Sequence, residues 1–76
     1  MNIPNEYLIT IGEDSWMAKY VGSGDRFRGR FGFHPAEAAE QYPVPEGTLM
    51  VSPDRRTCQL ITDAPPVHHY YRLQTF

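Results

Sequence analysis

Within the octet Arg26-Phe27-Arg28-Gly29-Arg30-Phe31-Gly32-Phe33, cationic side chains alternate with aromatic or small ones as far as Phe31, and Gly32 takes the next place on the cationic side. Successive side chains of a strand point to opposite faces, so this period predicts a β-strand. Arg26, Arg28 and Arg30 fall on one side, and Phe27, Phe31 and Phe33 on the other. The rings can seal a core. The guanidinium groups, roughly 6.8 Å apart along such a strand, are left for solvent or an anionic partner.

Two runs upstream fit the same face. Tyr7-Leu8-Ile9-Thr10-Ile11 and Trp16 to Val21 read as strands, the first followed by the turn-rich Gly12-Glu13-Asp14-Ser15 and the second by Gly22-Ser23-Gly24-Asp25. Closing both as four-residue hairpin loops pairs Ile11 with Trp16, Ile9 with Ala18 and Tyr7 with Tyr20. It then pairs Tyr20 with Phe27, Ala18 with Gly29 and Trp16 with Phe31. Both registers give one apolar face, with a depression where Ala18 and Gly29 meet.

Downstream, His34-Pro35-Ala36-Glu37-Ala38-Ala39-Glu40-Gln41-Tyr42 predicts a short helix. Proline suits its first turn and alanine its interior, while Pro43 and Pro45 end it. Its Pro35, Ala38, Ala39 and Tyr42 stripe would dock over the depression. Leu49 and Val51 then alternate, turn at Pro53-Asp54-Arg55-Arg56, and pair with Leu60 and Cys58. Ala64-Pro65-Pro66 breaks the chain before a last strand over 67–75. The predicted class is α+β, a mainly antiparallel β-β-β-α-β-β-β array, as one sheet or two packed three-stranded halves. Its one short helix lies near residues 35–42, within a single domain of residues 1–76.

A chain of 76 residues supports one small core, which the five Tyr, four Phe and one Trp help to fill. The single Cys58 excludes an internal disulfide and points to a reducing, cytosol-like compartment. No run approaches the roughly 20 apolar residues that cross a bilayer, and no secretory leader is visible. The net charge of −2 argues against a general nucleic-acid binder and against a strongly acidic nucleic-acid mimic. Electrostatic function must therefore come from local placement.

Two placements stand out. The hairpin register sets Lys19 opposite Arg28, Val21 opposite Arg26 and Met17 opposite Arg30, away from the rings. Lys19, Arg26, Arg28 and Arg30 then form a basic stripe with Glu6 as the nearest strand acid. Such a stripe is either an anion-binding face or a solvated outer surface. In the last strand His68, Tyr70 and Arg72 share a face, offering rings and a guanidinium of the types enriched at binding hot spots. Catalysis and cofactors find no comparable support. Cys58 lies in an apolar hairpin, where it packs as a small hydrophobe. His68 and His69 point to opposite faces, and no metal-ligand spacing occurs. Gly22-Ser23-Gly24 lacks the lysine and helix of a phosphate loop.

The run from Ile9 through Trp16, Ala18 and Gly32 to Pro35-Ala36-Glu37-Ala38-Ala39 resembles the N-terminal half of HicB-like antitoxin domains. In that family a small sheet leads through a glycine into a Thr-Pro-Glu-Glu-Ala-like helix start; here His34 stands at the Thr position. The resemblance covers about half the chain and implies an antitoxin fragment with a toxin-sized partner. In general style the chain is also similar to small phage proteins, anti-CRISPR inhibitors among them. The expected function is a non-enzymatic inhibitor from a phage or mobile element. It would block a larger host protein or ribonucleoprotein complex through the basic stripe and the His68, Tyr70 and Arg72 row. The alternative is direct nucleic-acid binding by the same arginines. A homodimer through exposed sheet edges is open.

Overall fold

Gly12 takes a φ of 62°, and glycine at the first central position of a two-residue hairpin loop is what a primed turn requires. In the computed structural model, which describes residues 2–75, Gly12-Glu13 alone join β1 (Glu6–Ile11) to β2 (Asp14–Ser23). The loop is thus two residues, not the expected four. Ile9 pairs with Trp16 and Tyr7 with Ala18, a slip of two positions along β1. An even slip keeps every side chain on its face, so Tyr7, Ile9, Ile11, Trp16 and Ala18 still line the core.

β2 does not turn back into the Arg/Phe octet. It passes a bulge between Tyr20 and Gly22 and pairs with the C-terminal strand β6 (His68–Thr75). The octet is not a strand. Asp25–Arg28 forms a single helical turn, α1, in which Phe27 accepts backbone bonds from Arg30 (3.1 Å) and Phe31 (2.9 Å). The physical reason lies in the spacing of two rings. Phe27 and Phe31 are four residues apart, which places them on one side of a helical turn. Coiled this way, the segment crosses the second face of the sheet and packs on it.

The helix expected over 35–42 is also corrected. Only Pro35–Glu37 coils, as one 3-10 turn. Its cap is His34, whose Nδ1 accepts from the Ala36 N–H at 3.1 Å while the Glu37 carboxylate accepts the His34 N–H at 3.2 Å. The chain then extends into β3 (Glu40–Val44). Alanine propensity is a weak prior that tertiary burial overrides. Extended backbone puts Tyr42 and Val44 against the core, and Pro43, which would disrupt a helix, fits an edge strand.

β4 (Gly47–Val51) and β5 (Thr57–Ile61) pair as the sequence suggested, Val51 with Cys58 and Leu49 with Leu60. The six strands make one antiparallel sheet in the order β1-β2-β6-β5-β4-β3. The class is therefore mainly β, not α+β.

The sheet curls into a half-barrel around Ile9, Trp16, Ala18, Leu49, Val51, Cys58, Leu60 and Tyr71. Polar groups tie its far parts together. The Tyr7 hydroxyl donates to Glu46 in the β3–β4 turn, and the Tyr71 hydroxyl donates to Pro4 O at 2.7 Å. Arg55 pairs with Glu40 at 2.9 Å and lies over the Trp16 ring at 5.5 Å. Among the described residues no helix is long and apolar enough to cross a membrane.

Candidate binding surface

The bulge in β2 places Gly22 opposite Tyr70 on the face away from the main core. The absent side chain leaves room for Phe27, since a β-carbon on Gly22 would stand 2.5 Å from its ring. Phe27 lies 6.4 Å from the Tyr70 ring and 6.1 Å from Phe31. Gly32 closes the other side, where a β-carbon would come 2.9 Å from Tyr70 Cε1 and 2.5 Å from the Arg28 carbonyl oxygen. The segment from Gly24 to His34 is thus an arm strapped over β6.

Beneath the arm, His68 stacks on Tyr70 with ring centroids 6.4 Å apart and planes at 11°. Gln59, 1% exposed, links the layers. Its amide donates to Phe33 O, and its carbonyl oxygen lies 2.9 Å from His68 Nδ1. Nothing in the strand pattern marks Gln59 for burial, because at that position it reads as an outward polar residue. Phe27 and Phe31 had a legible signal in their four-residue spacing, masked by the stronger two-residue alternation.

His68, Tyr70 and Arg72 do share a face, but they are not a row of exposed anchors. Tyr70 has no exposed surface, and its buried hydroxyl has no hydrogen-bond partner among the described residues. Burial raises its pKa, with the nearby Arg28 charge opposing. Arg72 is exposed, its guanidinium 5.1 Å above the Phe31 ring.

The strand-to-strand pairing of Lys19 with Arg28, and of Val21 and Met17 with Arg26 and Arg30, does not exist. In its place Lys19 sits directly across from Arg72. Arg26 lies 4.7 Å over the Phe27 ring, and Arg28 and Arg30 project from the arm into solvent. Lys19, Arg26, Arg28, Arg30 and Arg72 are all exposed. Among the described residues none reaches a carboxylate at ion-pair distance, since the sole ion pair is Arg55–Glu40. The arm's own rings hold Arg26 and Arg72 by cation–π contact, which orders a guanidinium without neutralising it.

Arg28 and His68 also border a shallow hollow of about 370 Å³ between the arm and Pro66-Val67. Compared with family models, curated proteins and solved structures, the chain matches none.

The one thiol is poorly placed for chemistry. Cys58 has no exposed surface, and burial pushes its pKa up to about 12. It pairs across the sheet with Tyr71, and His69 pairs with Leu60. Cys58 makes no hydrogen bond to His69 among the described residues.

Proposed function

We propose that this chain is a non-enzymatic binding protein that blocks a larger host protein or ribonucleoprotein complex by surface contact, as small phage inhibitors of the anti-CRISPR type do. One observation carries the reading. Five of the seven Lys and Arg residues are exposed, without ion pairs among the described residues, on the arm and on the two strands beside or beneath it. Cations left unpaired on a rigid support complement an acidic patch at little ordering cost, because cation–π contact already holds two of them. The overall charge of −2 favours an acidic protein surface over nucleic acid as the partner. A buried reduced cysteine accords with a cytoplasmic site of action.

The test is a plasmid-interference assay in a bacterium whose CRISPR system targets the plasmid. Expression of the wild-type chain should restore plasmid retention, and the R28E/R30E double variant should not. The R56E variant, which leaves the arm untouched, should behave as wild type. Failure of the wild type to protect, or equal protection by R28E/R30E, sinks the proposal. A salt titration against single-stranded RNA separates the competing reading, since phosphate binding weakens steeply with salt.

A further inference from the structure

The sheet has two ends, and only one is guarded. At the β3 end, Val44 and Gly47 flank the two-residue turn and pair with each other, as Tyr42 does with Leu49. Ladder bonds of an antiparallel pair alternate between residues, so Gln41 and Pro43 carry the outward backbone groups. Pro43 has no N–H to offer, a common protection of an edge.

At the β1 end the Asn5 carbonyl accepts the Tyr20 N–H at 2.8 Å. The same alternation turns Asn5, Tyr7, Ile9 and Ile11 towards β2, and Glu6, Leu8 and Thr10 outward. No described residue pairs with those outward groups, because β1 has β2 as its only neighbour. The strand contains neither proline nor lysine. At its centre Leu8 is 64% exposed, across from Met17.

We propose that β1 pairs antiparallel with β1 of a second copy of this chain, about a two-fold axis at Leu8, joining the two sheets into one. The register follows from the edge itself. Centred on Leu8, the pairing satisfies every outward N–H and C=O of Glu6, Leu8 and Thr10, with Glu6 opposite the partner's Thr10. An axis at Glu6 would set two carboxylates face to face, which is destabilising. Axes at Tyr7 or Ile9 leave Thr10 or Glu6 without a strand partner, and an axis at Thr10 runs into the Gly12-Glu13 turn.

The Leu8 axis also makes a continuous apolar row of Met17, Leu8, the partner's Leu8 and the partner's Met17. Each Glu6 remains between its own Lys19 and a partner hydroxyl, so no like charges meet. This surface is independent of the basic arm.

Sedimentation equilibrium on the intact chain tests the pairing. The wild type should form a species of twice the 8.7 kDa monomer mass. Because Leu8 is exposed, L8E and L8K should each fold with the wild-type circular dichroism spectrum and lose only the concentration-dependent part of the wild-type melting temperature. Each should be monomeric, as like charges would then meet on the axis. Mixed in equal amounts, they should form a heterodimer. A wild type that stays monomeric into the millimolar range, a dimer that survives in L8E, or a mixture that remains monomeric would each overturn the proposal.

Discussion

The ring of Phe27 occupies the space that a side chain on Gly22 would fill, with a hypothetical β-carbon only 2.5 Å from Phe27 Cζ. Gly22 also has a φ of 156°, which a side chain strains. G22A is therefore expected to lift Phe27 off Tyr70 and to cost about 1–3 kcal/mol, the usual scale for overpacking. In an F27A background the added penalty of G22A should shrink, because the clash has gone. Urea denaturation of the four proteins of this cycle measures the coupling. Full additivity would mean that the arm does not rest on Gly22.

Two adjacent tyrosines should respond oppositely to loss of the hydroxyl. Tyr70 buries an unpartnered OH, and an unsatisfied buried polar group is destabilising. Y70F is expected to raise stability by about 1 kcal/mol. Tyr71 donates to Pro4 O at 2.7 Å, and Y71F, which leaves that carbonyl without its donor, should lower stability by about 1 kcal/mol. Midpoints of urea unfolding decide both signs. A destabilised Y70F would indicate that its hydroxyl has a partner.

Cys58 should resist thiol reagents in the folded protein. The thiolate is the reactive form, and a pKa of about 12 leaves almost none near neutral pH. Modification by an aromatic disulfide reagent is expected to proceed at the rate of global unfolding and to accelerate in urea. Rapid labelling under native conditions would show the half-barrel to be open over β5.

The same residues show what the sequence could and could not convey. The β4–β5 register was legible because Leu49, Val51, Cys58 and Leu60 alternate on both sides of one short turn. The β1–β2 face was legible even with the wrong loop length, since two positions of slip conserve facing. The arm was not. Its Arg/Phe alternation satisfies a period of two, yet Phe27 and Phe31 equally satisfy a helical spacing of four, and local pattern alone does not choose. The choice is made by β6, whose Ala18-facing Leu73 and Tyr20-facing Tyr71 take the place beside β2 that the octet would have filled. Such long-range competition lies outside any short window. The site residues shared this fate: their exposure was legible for Arg26, Arg28, Arg30 and Arg72, while Tyr70 disappeared beneath an arm that only the folded chain reveals.

Acid should weaken the fold in two separable steps. His69 is 5% exposed, and its pKa is lowered from 6.5 by burial, with the Pro66 carbonyl opposing and the His68 charge adding to the shift. The unfolded chain therefore binds this proton more readily than the folded one. Its contribution is fully present above about pH 6.5 and is lost as pH falls through the depressed folded value. Asp54 acts lower. Its carboxylate accepts from Ser52 Oγ and the Arg56 N–H, which hold its pKa below 3.8. That contribution is present above the unfolded value and disappears below it. Unfolding free energy followed from pH 8 downwards should begin to fall just under pH 6.5 and fall again below about pH 4. H69F should flatten the first descent and leave the second, and D54N should do the reverse. A first descent unchanged in H69F would assign it to another group.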